Sequence, residues 1–156
     1  MDDIVVARAL HVACVVLWIG GVGFVTTVLL PAVRRLKDPE GRLALFETIE
    51  RRFAWQARIT TFITGLTGFY LVVQLDLWRS FATLEFWWLD AMLLVWLAFS
   101  AMLFVAEPFF LERWFRNRAR AKPEETFRLI IGLHRALLIL SLITVLGAVI
   151  GSHGGM

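Results

Sequence analysis

Four long apolar segments dominate this 156-residue chain and leave few folds open to it. Its hydrophobic residues amount to 59%, more than the roughly half that is usual in soluble domains. A transmembrane helix needs about 20 predominantly apolar residues. The segments that meet this requirement are residues 4–30, 57–77, 86–108 and 126–150. The sequence therefore predicts an integral membrane protein with a single transmembrane domain over residues 1–156.

Short connections between these segments favour an all-α, up-down-up-down four-helix bundle. In the first connection, Asp38 can cap a helix and Pro39 suits its first turn. Apolar residues then recur at helical spacing, at Leu43, Phe46, Ile49 and Phe53. This pattern predicts an amphipathic helix that lies at the membrane interface and leads into the second span. The threonines and glycines of the second span are expected to pack inward, because small and hydroxyl residues let helices approach closely in lipid.

Basic residues are concentrated in two of the three connections, those after the first and the third segment. On the opposite side only Arg8 and Arg79 occur. An excess of Lys and Arg marks the cytoplasmic side, so we expect a bacterial inner membrane protein with cytoplasmic basic loops and both termini periplasmic. The net charge of +3 reflects this asymmetry and does not indicate nucleic-acid binding. The expected partner is the lipid bilayer, whose anionic headgroups attract such loops.

Two histidines, His11 and His134, lie inside apolar segments. Ionisable side chains in membrane segments are costly and usually mark an ion, proton or cofactor site. The first and fourth segments run in opposite directions, which predicts that the two imidazoles differ in depth by on the order of 15 Å. Each histidine is therefore interpreted with neighbours at its own depth. For both, a purely structural hydrogen bond to a threonine or serine is the competing interpretation.

Near the outer surface, His11 is predicted to approach Asp90 of the third segment and His153 of the carboxy-terminal tail. Imidazole and thioether groups suit copper, and Met92 lies close in sequence to the carboxylate. The sequence thus offers a copper site formed by His11, Asp90 and His153. The alternatives are that Asp90 pairs with Arg8 and that His153 is a solvated tail residue.

Near the inner surface, His134 is predicted to approach Met102 of the third segment. A His/Met pair ligates haem in some cytochromes. Haem propionates need cationic partners, and the candidates toward this surface are Arg34, Arg35, Arg58 and Arg135. The alternatives are that Met102 only fills space between helices and that Arg135 only extends toward the membrane interface.

The first segment contains the runs Leu10-His11-Val12-Ala13 and Trp18-Ile19-Gly20-Gly21, and it closes on Leu30-Pro31 with Arg34. These motifs resemble the first helix of CopD-like copper-resistance membrane proteins and of the related HemJ-type protoporphyrinogen oxidases. Weaker similarity continues through Trp88-Leu89-Asp90-Ala91-Met92 and Phe127-Arg128-Leu129-Ile130. The resemblance implies a four-helix membrane unit in which His11 binds a metal, as a haem ligand in the HemJ type.

The chain also departs from the HemJ-type pattern. The third helix of that family carries histidine and lysine where this chain has Asp90 and Met92, and its Asn-Glu pair falls near Gly132 and Leu133. These departures argue against protoporphyrinogen oxidation.

Three functional interpretations follow. The first is a haem b protein that exchanges electrons with a quinone or a partner redox protein. If such a protein is an enzyme, it is a haem-dependent membrane oxidoreductase. The second is copper uptake or resistance. The third is a non-catalytic assembly subunit of a membrane complex, and each of the three is compatible with a homo-oligomer. The sequence has no hydrolase triad and no phosphate-binding glycine loop, so an enzyme acting on a soluble substrate is not predicted.

Overall fold

The computed structural model describes residues 3–36, 38–111, 114, 117, 118 and 121–152. Within these residues all regular elements are helical. The long helices are α1 (Asp3–Arg34), α2 (Pro39–Gln74), α3 (Leu84–Phe109) and α4 (Pro123–Ser152). By length and composition, α1, α3 and α4 can each cross a membrane. The prediction of long apolar helices is confirmed for these three, and α2 does not meet the same criterion.

A single helix, α2, runs through the segment predicted as an interfacial helix and through the predicted second span. The physical reason is that no proline or glycine occurs between residues 42 and 64. Phe46, Ala57 and Thr64 are all buried, so one inward face continues from the predicted interfacial segment into the predicted second span. At 1.5 Å per residue, α2 is about 54 Å long, which exceeds the hydrocarbon thickness of about 30 Å.

Asp38 caps the start of α2, as the sequence predicts. Its Oδ2 accepts a hydrogen bond of 2.8 Å from the backbone N–H of Gly41. This bond satisfies one of the amide groups that have no partner in the first turn of a helix.

Helices α1 and α2 pack against each other in antiparallel directions. His11 contacts α2 at Gly68, whereas Gly21 faces Phe53, so residue numbers rise along one helix and fall along the other. An added Cβ at Gly21 would overlap the Phe53 ring, and only glycine permits this approach. Gly20, one residue earlier, has open space at its Cβ position.

Helices α3 and α4 also pack closely, at the end of α4 that lies farthest from Pro123. There the indole of Trp87 lies over Gly147 and that of Trp88 over Gly151. The absence of a Cβ at both glycines makes room for these rings.

Two apolar clusters hold the helices together. At the Arg34 end of α1, one cluster joins α1, α2 and α4 through Val25, Leu29, Leu30, Val33, Phe46, Phe127 and Ile130. The second cluster joins α1, α2 and α3 through Trp18, Val22, Ala57, Phe99 and Leu103. Trp18 and Phe99 meet edge to face, with ring centroids 4.8 Å apart.

Helix α3 continues through Pro108 instead of ending there, because Ala101–Leu111 adopts a wider π-helical geometry. In that geometry an N–H group bonds the carbonyl five residues earlier. Pro108 has no N–H, so it cannot supply a donor to the Leu103 carbonyl. Arg58 of α2 supplies one instead, with Nε 3.1 Å from the Leu103 oxygen.

Candidate functional site

His11 is a half-buried residue of α1 that bonds to α2. Its Nδ1 lies 3.1 Å from the carbonyl oxygen of Thr64 and 3.1 Å from Oγ1 of Thr67. A carbonyl oxygen only accepts, and the Thr67 hydroxyl already donates to the Ile63 carbonyl at 2.7 Å. Nδ1 must therefore carry the hydrogen and donate it to α2. In the neutral imidazole, the lone pair available to a metal is then on Nε2.

Gly68 allows the His11 ring to lie directly on α2. A Cβ at this position would be 3.1 Å from Cε1 of His11 and 3.5 Å from Nδ1, so the ring would have to shift by a few tenths of an ångström. No described residue makes a hydrogen bond to Nε2. The α1–α2 contact thus fixes the orientation of the ring through one nitrogen, and the other has no bond to the described part of the chain.

His134 makes a different contact, within its own helix. Its Nδ1 lies 3.0 Å from the carbonyl oxygen of Ile130, one turn earlier in α4. Here too Nδ1 is the donor. The structural interpretation of the sequence is that each histidine makes an interhelical hydrogen bond to a threonine or serine. Such a bond is seen for His11, whereas the described bond of His134 lies within α4.

The structure brings His134 and Met102 to the wall of one small cavity between α1, α2, α3 and α4. Its volume is about 30 Å³, and it is lined by Trp18, Val22, Phe53, Ala57, Phe99, Met102, Leu103, His134 and Leu137. A water molecule needs about 10–15 Å³ of such volume, and ligand pockets begin at about 300 Å³. A haem group does not fit between His134 and Met102 in this packing, although both residues line the same cavity.

The two imidazoles lie at different levels of the molecule. His11 is level with Thr64 and Thr67 of α2, and His134 lines the cavity together with Ala57. At 1.5 Å per residue, the two levels are about 10–15 Å apart along α2. One metal ion cannot be bound by both histidines.

Of the three predicted copper ligands, His11 and Asp90 lie in the described part of the chain, and each has hydrogen-bond partners of its own there. Both carboxylate oxygens of Asp90 accept from the backbone N–H of Ala82, at 3.1 and 3.3 Å. Ala82 has a positive φ of 59°, so Asp90 stabilises a left-handed turn before α3. His153 lies outside the described residues. Among those described, no group of three His, Cys, Asp or Glu side chains could hold a metal ion.

Of the four arginines predicted to bind propionates, Arg34, Arg35 and Arg135 are exposed. Arg58 is bound to α3, because besides the Leu103 carbonyl it contacts Glu107, with Nη2 and Oε1 3.2 Å apart. The pairing of Arg58 with Glu107 was not predicted. A signal for it exists in the sequence, since two opposite charges in apolar segments tend to pair with each other.

The threonine face of α2 packs inward as predicted, with Thr60, Thr61 and Thr64 buried. Trp96 of α3 donates its indole N–H to the Thr61 carbonyl at 2.9 Å. This bond ties α3 to α2, next to the segment that holds His11. The periodicity of the sequence predicts which face is inside but not which groups pair there.

At the basic end of the molecule, Arg42 is buried and binds three groups. It donates hydrogen bonds to the Leu36 carbonyl and to Glu124 at the start of α4, and its guanidinium lies over the ring of Phe127. Glu124 precedes the apolar part of α4 and is exposed. The hydrogen bond and the charge of Arg42 hold the pKa of the Glu124 carboxyl below its usual value, and Arg34 and Arg128 add to the effect.

Comparison with known proteins identifies no relative of this chain. No protein-family model matches it, and no curated protein and no solved structure shows significant similarity.

Proposed function

We propose that this protein is a haem b protein of the bacterial inner membrane that exchanges electrons with a quinone or a partner redox protein. His11 ligates the iron through Nε2. The observation that supports the proposal is the hydrogen bonding of His11, whose Nδ1–H is held by the Thr64 carbonyl and the Thr67 hydroxyl. Metal-binding histidines almost always donate their other ring N–H in this way, which fixes the tautomer and raises the basicity of the ligating nitrogen.

Bound haem would supply the one-electron redox couple, and the residues around His11 would orient the imidazole that holds it. Thr64 and Thr67 set the direction of the ring, and Gly68 lets it lie against α2. Because the axial ligand and its hydrogen bonds influence the potential of haem iron, the two threonines have a tuning role. The cavity at His134 and Met102 is too small for the macrocycle, so His134 has no part in this proposal.

The proposed arrangement in the membrane is an up-down-up-down bundle of four crossing helices, with the second half of α2 as the second span. It is supported by the antiparallel contact of α2 with α1 at the level of His11. The end of the molecule that carries Arg34, Arg42 and Arg128 faces the cytoplasm, following the distribution of basic residues. Both termini are then periplasmic.

The proposal is tested by a reduced-minus-oxidised optical spectrum of the protein purified from haem-replete cells. We expect a Soret band and an α band that are lost in His11→Ala and kept in His134→Ala, a matched variant at the other intramembrane histidine. Thr67→Val should retain haem and shift its potential. The proposal is wrong if the parent protein has no haem bands, or if His11→Ala gives the parent spectrum. Copper analysis of the same samples distinguishes a copper protein from an assembly subunit that carries neither group.

A further inference from the structure

Arg135 is an exposed residue in the apolar part of α4. It follows His134 directly, and no hydrogen bond or ion pair joins its guanidinium to another described residue. A charged side chain next to lipid is costly unless it reaches an anionic group or the interface. The guanidinium of Arg135 therefore needs an anionic group or the membrane interface within its reach.

Arg128 and Gly132 share the face of α4 on which Arg135 lies, at spacings of three and four residues. Both are exposed. A Cβ added at Gly132 would meet no atom within 4 Å. The helix surface between the two guanidinium groups is thus open, and nothing in the described structure covers it.

The same face becomes purely apolar beyond Arg135. The next residues along it are Ile139, Leu142 and Leu146, which are 57%, 47% and 62% exposed. One continuous stripe of α4 therefore presents two cationic side chains at one end and exposed aliphatic side chains toward the middle of the helix. This order matches a phospholipid, which has a charged headgroup at the surface and acyl chains in the interior.

We propose that this face of α4 is a binding site for an anionic phospholipid. The phosphate lies between Arg128 and Arg135 over Gly132, and an acyl chain lies along Ile139 and Leu142. Guanidinium groups bind phosphate oxygens with paired, charge-assisted hydrogen bonds. Glu124 lies close enough to Arg128 for the arginine charge to contribute to its lowered pKa, but the Glu124 carboxylate is hydrogen-bonded to Arg42, so neither arginine of the site is its main partner. The site requires only that both arginines lie toward one surface of the bilayer, so it is independent of the proposed haem and of the orientation.

The test is native mass spectrometry of the full chain in detergent with equal amounts of phosphatidylglycerol and phosphatidylcholine. We expect preferential retention of one phosphatidylglycerol molecule. Arg135→Gln should weaken this retention by about five-fold, which corresponds to about 1 kcal/mol per basic residue near anionic lipid. Gly132→Leu should weaken it without changing any charge, because its side chain fills the open surface. Arg79→Gln, at an exposed arginine outside α4, is the matched control and should behave like the parent.

Equal retention of the two lipids, or unchanged retention in both α4 variants, would overturn the proposal. Loss of the bound lipid in the presence of millimolar inorganic phosphate would show that the site takes free phosphate instead, which also contradicts it. Circular dichroism checks that each variant is folded. If Arg135→Gln misfolds, Gly132→Leu decides, since leucine favours a helix more than glycine does.

Discussion

Replacing Arg58 by methionine should destabilise the contact between α2 and α3, and replacing Pro108 by alanine should partly restore it. Arg58 Nε bonds the Leu103 carbonyl at 3.1 Å, and Nη2 lies 3.2 Å from Glu107. The carbonyl needs this donor because Pro108 has no N–H with which to continue the π-helical pattern. Alanine at position 108 returns an N–H to the helix, so the two positions should be energetically coupled.

The size of the effect follows from the two contacts. A buried carbonyl that loses its donor costs about 1–3 kcal/mol. The ion pair adds less, about 0–1 kcal/mol, because the side chains of Arg58 and Glu107 are 27% and 31% exposed. We therefore expect Arg58→Met to lower the free energy of unfolding by about 2–3 kcal/mol. In the Pro108→Ala background the loss should be smaller by about 1 kcal/mol, the net value of one restored hydrogen bond.

The assay is a double-mutant cycle, measured as reversible unfolding in mixed micelles with increasing SDS. Glu107→Gln serves as the control, because it weakens the ion pair and keeps the Arg58 bond to the carbonyl, so its cost should stay below about 1 kcal/mol. If the effects of Arg58→Met and Pro108→Ala add within about 0.5 kcal/mol, the two positions are independent and the reasoning is refuted.

Two further predictions concern packing and pH. Gly21→Ala should destabilise the protein by about 1–3 kcal/mol, because its Cβ would overlap the Phe53 ring. The matched variant Gly20→Ala has open space at its Cβ and should be neutral or stabilising in the same unfolding assay. For Glu124, the lowered pKa means that the contact with Arg42 stabilises the protein at pH values above the usual carboxyl range. That contribution should vanish as the pH falls through the lowered pKa, so Glu124→Gln should flatten the acid limb of a stability profile measured by thermal unfolding. An unchanged acid limb would contradict this explanation.

Much of the architecture could be predicted from the sequence. The apolar runs of α1, α3 and α4 exceed the thickness of the hydrocarbon core, and the cap at Asp38 follows from residue type and position. The inward threonine face of α2 follows from helical periodicity. What could not be predicted is that α2 is continuous from Pro39 to Gln74. Its polar first half has the composition of an interfacial helix, and burial of Phe46 against α1 and α4 is a long-range contact that the local pattern does not contain.

The candidate site shows the same division. The sequence identifies His11 and His134 because ionisable groups are rare in apolar segments. It also places Met102 near His134, although the cavity between them is too small for the haem group that such a pair suggests. The hydrogen bond between Asp90 and the backbone N–H of Ala82 could not be predicted, since it depends on a left-handed backbone conformation formed only in the folded chain.

By itself, the sequence determined that this chain forms long apolar helices, where charges are rare, and which residues are chemically able to bind a metal. These properties depend on composition and on spacing along one helix. Only the tertiary structure decided that His11 donates through Nδ1 to α2, with no described residue bonded to Nε2, and that Arg58 is held by α3. These contacts depend on which carbonyls and glycines of a second helix lie opposite each side chain. The relative register of the two helices is set by packing between residues far apart in the chain.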